Sequence, residues 1–145
     1  MLKLAGEALS AHGVAVASLI GSPALKRDAL AAFSTPVVDG GATALLVPLF
    51  GGASGAGGGG AAGLTLTQAH TAFLLEPALQ PGIERQAAGR IARIGQTRPT
   101  RCVRLIVGGT IECKILAWQQ MRLAEGASAA PQLSLNDFVQ LVDGE

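Results

Sequence analysis

The chain has 145 residues, of which 49% are hydrophobic and 3% aromatic, and 11 Lys and Arg face 10 Asp and Glu for a formal net charge of +1. This length suits one domain with a core of Ala, Val, Leu and Ile. The near-neutral charge excludes a global field that attracts nucleic acid. Two cysteines, Cys102 and Cys113, are too few for a zinc knuckle or a secreted disulfide scaffold. We expect reduced, buried thiols of an intracellular protein and no metal site.

One uncharged stretch could imitate a membrane span, because Gly40 to Leu75 contains no Asp, Glu, Lys or Arg. Pro48 and a cluster of glycines interrupt this stretch, so it is unsuited to a continuous apolar helix. Near the N-terminus, Lys3 opens an amphipathic pattern rather than a basic and then apolar leader. We expect neither a membrane span nor a leader.

The first half of the chain predicts alternating helices and strands. Leucines at helical spacing predict a first helix that ends near His12 and Gly13, where glycine suits a left-handed turn. A short strand over 14–20 follows, and Pro23 begins a second helix. The nearly unbroken apolar run 44–50 is typical of a parallel strand buried on both faces. The glycine-rich stretch 51–60 predicts a mobile loop.

The second half continues the alternation after a brief helical turn near residues 67–69. Its predicted elements are a strand over 71–75, a helix over 82–94, a strand over 101–107, a helix from the N-cap Thr110 to about 123, a linker over 126–131 and a short helix capped by Ser134. Strands that alternate with helices predict an α/β fold, with a parallel sheet flanked by helices.

Glycines after the strand over 44–50 have the spacing of a dinucleotide-binding fingerprint. Gly55, Gly57 and Gly60 match it, and Glu76 stands where the ribose-binding acid is expected. However, four consecutive glycines produce such spacings by chance, and Gly63 interrupts the helix that should receive the pyrophosphate. A Walker A loop is excluded because no lysine directly follows the glycines. A dinucleotide-dependent enzyme therefore remains a remote alternative.

The segment 86–97 reads Gln-Ala-Ala-Gly-Arg-Ile-Ala-Arg-Ile-Gly-Gln-Thr. Arg90 and Arg93 are three residues apart and share one face if the segment is helical. Guanidinium groups are planar forked donors that suit phosphate oxygens, and an arginine near a transferring phosphoryl group stabilises transition-state charge. Six arginines occur between residues 85 and 104, opposed nearby only by Glu84, which makes a local basic strip. A solvated helix face is the alternative explanation.

The same segment resembles the last conserved motif of the Swi/Snf-type helicase-like ATPases, Q-A-x-x-R-x-x-R-I-G-Q-T, although Ala92 replaces the usual histidine before the second arginine. The preceding loop, Gly63-Leu-Thr-Leu-Thr67, is similar to that family's G-L-N-L-T, with Thr65 in place of Asn. Ile20-Gly-Ser22 resembles an earlier D-G-S motif in which Ile20 replaces the acid. The resemblance covers almost the whole chain.

One branch of this family fits especially well. Generic remodellers usually place two tryptophans after an Asp-Pro turn, where this chain has Ala78 and Leu79 after Glu76-Pro77. This turn and the residues Gln86-Ala-Ala-Gly89 look more like the SNF-histone-linker-PHD-RING branch of helicase-like ubiquitin ligases.

The resemblance implies a second RecA-like lobe over residues 1–125, truncated at its N-terminus before the expected first strand, and a linker with a short C-terminal helix over 126–145. It implies ATP and Mg²⁺ as cofactors, bound mainly by a first lobe absent from this chain. Gln86, Gly89, Arg90 and Arg93 face the nucleotide in that interpretation, with Arg90 and Arg93 catalytic. We expect the isolated chain to lack ATPase activity.

The resemblance also implies DNA binding by five residues of the earlier motifs, which are Ser22, Gly63, Leu64, Thr65 and Thr67. Such contacts go to phosphates and are independent of base sequence. The implied partners are the N-terminal lobe, DNA and, in the nucleus, nucleosomes and ubiquitin-pathway proteins, with no membrane. Ubiquitin ligation needs a RING that two isolated cysteines cannot build. The glycine insertion, Ala92 and the missing strand motivate an alternative, a degenerate lobe that binds partners without turnover.

Overall fold

The computed structural model describes residues 1–49, 63–124 and 134–143. The chain divides into two compact units, Met1–Gln68 and Ala69–Glu145. The predicted glycine loop over 51–60 and the predicted linker over 126–131 lie outside the described residues, and the predicted boundary at residue 125 stays a prediction. Within the described ranges, no helix is both long enough and apolar enough to cross a membrane.

The first unit is a parallel strand pair with two helices. Its elements in chain order are α1 (Leu2–Ala11), β1 (Val16–Ser18), α2 (Pro23–Ser34), a short 3-10 turn (Val37–Asp39) and β2 (Ala44–Leu46). Val16 pairs with Ala44, and Ser18 with Leu46. The predicted helices are confirmed, since α1 ends at Ala11 with His12 as its C-cap and Gly13 after it at φ 77°, and Ser22 caps α2 ahead of Pro23.

The core of the first unit lies between β1 and α2. Leu19 is only 1% exposed and packs with Ala17, Ala29 and Ala42. The predicted burial of the second strand on both faces is wrong, because every residue of β2 is half-buried. Among the described residues β2 has one strand neighbour, β1, and a two-stranded sheet cannot enclose a strand as a wider parallel sheet does.

The second unit repeats the alternation, with β3 (Thr71–Leu74), α3 (Pro81–Ile91), β4 (Arg101–Arg104), α4 (Ile111–Ala124) and α5 (Leu135–Asp143). The strands β3 and β4 are parallel, and Thr71 pairs with Arg101 and Leu74 with Arg104. The predicted strand and helix order is confirmed. Thr110 caps α4 as expected, since its hydroxyl accepts a hydrogen bond from the Glu112 N–H at 3.3 Å.

The two last helices pack around the single tryptophan, where Trp118, Ile115 and Leu141 form a buried cluster. The predicted cap of α5 is confirmed as a reciprocal box. The Asp137 N–H donates to Ser134 Oγ at 3.1 Å, and Ser134 N and Oγ donate to Asp137 Oδ2 at 2.9 and 2.6 Å. These hydrogen bonds, above all the one from the serine hydroxyl, lower the pKa of Asp137 to about 2.

The predicted burial of the cysteines is wrong. Cys102 and Cys113 are free thiols and both are exposed. Cys102 lies on β4, whose residues are largely exposed, and Cys113 lies in the first turn of α4, where its Sγ donates to the Val107 carbonyl at 3.6 Å. Partial desolvation still raises the pKa of Cys102, against the lowering effect of the Arg104 charge.

Candidate functional site

The arginine motif straddles the end of α3. Sequence spacing places Arg90 and Arg93 on one helical face, and this prediction is wrong because the helix ends at Ile91. Ala92 is the C-cap, with φ −87° and ψ 77°, and Gly95 turns the chain with φ 97°. Arg93 therefore follows the helix, in the loop that leads to β4.

Gln96 explains where the helix stops. Its side-chain amide donates to the carbonyl of Ile91 at 3.1 Å and to the carbonyl of Ala69 at 2.7 Å, while its Oε1 accepts from the Arg98 N–H at 3.0 Å. An amide that satisfies a terminal helix carbonyl replaces the hydrogen bond that a further helical turn would make. Gln96 thereby fixes the loop that carries Arg93 against the start of β3.

The two faces of α3 differ in burial. Pro81, Glu84 and Ile91 are buried on one side. Gln86 and Gly89 are exposed and Arg90 is half-buried. At 100° per residue, the 86, 89 and 90 positions point away from the buried side. The helix thus presents one amide, one glycine and one guanidinium outward.

The loop after α3 is exposed as well. Arg93 is exposed, and Ile94 is 99% exposed. The four residues predicted to face a nucleotide therefore lie on α3 or just after it, in the second unit.

Gly89 has open space beside it. A Cβ built on it meets no heavy atom within 4 Å among the described residues outside its own helix backbone, and its φ is not positive. Glycine in a helix is less favourable than alanine by about 1 kcal/mol. Neither internal packing nor backbone conformation accounts for this glycine. Open space above it suits close approach by a ligand or a partner.

A buried polar network holds the first turn of α3. Glu84 is 4% exposed, and its Oε1 accepts from the Ala78 N–H at 2.8 Å and from Gln119 Nε2 at 2.9 Å. Gln119, 2% exposed, also donates to the Ala78 carbonyl. The second oxygen of Glu84 pairs with Arg104 Nε at 2.8 Å. One carboxylate therefore joins α3 to the turn after β3, to β4 and to α4.

The predicted DNA-contacting residues lie in the first unit. Ser22 is exposed, and its hydroxyl accepts from the Leu25 N–H at 3.4 Å at the start of α2. Gly21 before it has φ 119°, a conformation that favours glycine. The backbone turn between β1 and α2 thus leaves Ser22 at the surface.

The second DNA motif alternates between surface and core. Gly63, with φ 82°, and Thr65 are exposed, Thr67 is half-buried and Leu66 is 8% exposed. Leu64 packs against the core cluster of the first unit. Leu64 and Leu66 thus lie on the core side of the segment, while Gly63 and Thr65 are exposed.

Sequence reasoning missed the supporting residues. Glu84 is the only acid among the arginines, which is a signal for a specific ion pair. Gln96 stood inside the motif, but its capping role depends on Ala69, which is distant in sequence. Gln119 carries a weaker signal, a polar residue four positions after the buried Ile115 on the same helical face. The glycines of the dinucleotide alternative lie outside the described residues.

No protein-family model matches the chain. Curated relatives do match it. The DNA repair protein RAD5 of Candida albicans is 36% identical over 103 residues, which cover 71% of this chain and 9% of that protein. The human E3 ubiquitin-protein ligase SHPRH is 47% identical over 58 residues, 40% of this chain and 3% of that protein. The chain thus spans less than a tenth of these relatives' length.

Among solved structures, the C-terminal part of the Fun30 ATPase domain matches 95% of this chain and 38% of its own, with a TM-score of 0.65 and 21% identity. This likeness shows an α/β, RecA-like fold. The chain is a C-terminal, second RecA-like lobe of the Swi/Snf-type helicase-like ATPases, in the branch that includes RAD5 and SHPRH.

Proposed function

We propose that this chain is the second lobe of an ATP-dependent double-stranded DNA translocase, or chromatin remodeller. It contributes Gln86, Gly89, Arg90 and Arg93 to an ATP site completed by a first lobe, with Arg90 and Arg93 as catalytic residues. Ser22 and the segment Gly63 to Thr67 contact one DNA strand.

One observation carries the proposal, the contrast between the two sides of α3. Glu84 fixes the inner side through three elements of the unit, while Gln86, Gly89 and Arg90 stay accessible on the outer side. An anchored helix with an accessible arginine, followed by an exposed Arg93, is preorganised to meet a ligand across a cleft. A merely solvated face needs neither the buried network nor a glycine at position 89.

The accessible guanidiniums of Arg90 and Arg93 fit the phosphates of ATP. The γ-phosphate is the group that hydrolysis transfers to water. Guanidiniums offer forked donors to phosphate oxygens and stabilise charge on them. Residues 85–111 contain no Asp or Glu, and the described part of the chain has no group of three or more side chains that could hold a metal ion. We therefore assign the metal to the first lobe and the γ-phosphate contacts to Arg90 and Arg93.

DNA contact by the first unit is directed at phosphates. Gly63 and Thr65 are both exposed. Gly63 has a positive φ and no side chain, and the side chain of Thr65 is short, so backbone N–H groups can approach a phosphate closely. Leu64 supports the loop from the core side and contributes through its backbone. Affinity should fall with salt and not depend on base sequence.

The whole protein's role follows by analogy with its relatives. Their printed names are a DNA repair protein and an E3 ubiquitin-protein ligase. We propose a nuclear DNA repair or chromatin protein whose partners include nucleosomes and ubiquitin-pathway proteins. A RING for ligation has to come from outside residues 1–145.

Complementation tests the proposal. The purified chain alone should hydrolyse no ATP with Mg²⁺ and DNA, because half of the site is missing. Adding the separately purified first lobe of a RAD5-type relative, or joining it by a linker, should give DNA-stimulated hydrolysis. Hydrolysis by the chain alone contradicts the two-lobe site. Failure of the joined protein, with both lobes folded, favours a degenerate lobe that only binds partners, for which Ala92 in place of histidine is the motivating difference.

A further inference from the structure

A tight turn carries Arg93 away from the end of α3. The carbonyl of Arg93 accepts a hydrogen bond from the Gln96 N–H at 2.9 Å, so residues 93–96 close a β-turn. Gly95 takes the third position of this turn with φ 97°, a conformation that favours glycine. A β-turn fixes its own shape but not its place relative to the sheet. The place of Arg93 therefore depends on what holds the turn at each end.

The side-chain amide of Gln96 holds the far end of the turn. Its Nε2 donates to the carbonyl of Ile91, the last residue of α3, at 3.1 Å. The same Nε2 donates to the Ala69 carbonyl, just before β3, at 2.7 Å, and Oε1 accepts from the Arg98 N–H at 3.0 Å. One half-buried side chain thus connects the helix end, the start of β3 and the segment that leads to β4. Arg93 lies between the two residues that this amide joins along the chain.

The three contacts require the hydrogen-bonding groups of a glutamine. Two carbonyl oxygens need two N–H donors, and the Arg98 N–H needs an acceptor at the same side-chain end. An ionised glutamate has the same length and the acceptor but no donor, and a lysine has donors but no acceptor. Asparagine has the right groups on a side chain that is one methylene shorter. The arrangement therefore depends on the chemical identity of residue 96 and not only on its size.

We propose that Gln96 is a positioning residue for ATP hydrolysis, whose amide holds the turn so that Arg93 meets the γ-phosphate. The inference rests on the proposed function in taking Arg93 as a catalytic guanidinium. Gln96 acts through Arg93 and makes no contact with the nucleotide. An exposed arginine whose backbone is already fixed loses less conformational freedom when it binds a phosphate. A misplacement of about 1 Å in such a group can cost about a hundredfold in rate.

ATP hydrolysis by the intact two-lobe protein tests the proposal with Gln96→Glu, which keeps the length and the acceptor of residue 96 and removes both donors. The kcat should fall about a hundredfold, with a much smaller change in KM, because the charge on the transferring phosphoryl group is less well met. Gln120→Glu is the matched control, at an exposed glutamine of α4, and should retain kcat. Thermal melts set an assay temperature at which all variants are folded. Unchanged kcat in Gln96→Glu overturns the proposal.

A double-mutant cycle shows whether Gln96 acts through Arg93. In an Arg93→Ala background no guanidinium is left to misplace, so adding Gln96→Glu should lower kcat by less than about threefold. A fall of about a hundredfold in both backgrounds indicates a general structural defect and overturns the proposal. Normal turnover by Arg93→Ala alone refutes the proposed function and the positioning role with it. A slow Arg93→Ala beside a normal Gln96→Glu refutes only the positioning role.

The order of the turn gives a second measurement that needs no hydrolysis. In the full 145-residue chain, NMR relaxation of the Ile94 and Gly95 amides should give order parameters close to those of α3. These order parameters should fall in Gln96→Glu and stay unchanged in Gln120→Glu. A turn that is already mobile in the unchanged chain, or one that keeps its order in Gln96→Glu, overturns the proposal even where the two-lobe protein shows no turnover.

Discussion

Replacing Gly89 with alanine separates two reasons for a glycine in a helix. Gly89 lies in α3, two residues before its last residue, and in the described part of the chain a Cβ there meets no heavy atom within 4 Å. The variant therefore meets no steric cost within its own unit. It removes backbone freedom from the unfolded chain, which should raise the free energy of unfolding by about 0.5–1 kcal/mol.

Urea denaturation followed by the fluorescence of Trp118, the only tryptophan, reports on the unit that contains Gly89. The midpoint should rise in Gly89→Ala, and the melting temperature should rise by roughly 2–8 °C. Gly6→Ala in α1 is a helix control with the opposite surroundings, because its Cβ would lie 2.8 Å from Leu46 Cδ1. Measured by circular dichroism, it should gain less than Gly89→Ala, because Leu46 has to shift.

The same Gly89→Ala variant should lower ATP hydrolysis in the two-lobe protein, since the added methyl occupies the open space that we assign to the nucleotide side. A lower unfolding midpoint refutes the reasoning, because it reveals an internal need for glycine. A stabilised variant with full hydrolysis removes Gly89 from the site.

Three further predictions concern the supporting structure. Gly41→Ala should destabilise the first unit by more than about 3 kcal/mol, because its Cβ would lie 1.9 Å from the Thr35 carbonyl oxygen, and a thermal melt matching that of the unchanged chain contradicts this. Glu84→Ala should cost about 2–4 kcal/mol in urea denaturation, since the buried Ala78 N–H loses its acceptor; a loss below 1 kcal/mol counts against the network. The pKa of Asp137 is about 2 when folded against about 3.9 when unfolded, so its contribution to stability should be complete above about pH 5 and should decline as the pH falls through 3.9 towards 2. Asp137→Asn should lack this decline, which tryptophan fluorescence in acid titrations can measure.

Local signals predicted the elements well. Helix-end N–H groups are satisfied by residues close by in sequence, which are Ser22, Thr110 and Ser134. A short stretch of sequence therefore contains all that is needed to predict where these helices begin. Burial was harder to predict. The apolar run of β2 indicates a fully enclosed strand, but enclosure depends on neighbours that are remote in sequence.

In the candidate site, too, nearby residues were easier to interpret from the sequence than contacts between distant ones. The motif assigns nucleotide-facing residues around Arg90, which stays a prediction, and it does not predict that α3 stops at Ile91. At that end the Gln96 side chain donates to Ile91 and also to Ala69, 27 positions earlier, and no helical periodicity contains the second contact. Likewise the exposure of Cys102 follows from the placement of β4 rather than from its residue type.

Turnover by an Arg93→Ala variant of the intact two-lobe protein tests the central claim most directly. If Arg93 completes the ATP site, the variant should hydrolyse ATP about a thousandfold or more slowly, because the charge on the transferring phosphoryl group loses its guanidinium. Arg85→Ala is the matched control, an exposed arginine on α3, the helix that precedes Arg93, and the proposed site does not use it. The account predicts that this control retains turnover. Near-normal hydrolysis by Arg93→Ala, or an equal loss in both variants, contradicts it and makes Arg93 an ordinary solvated residue.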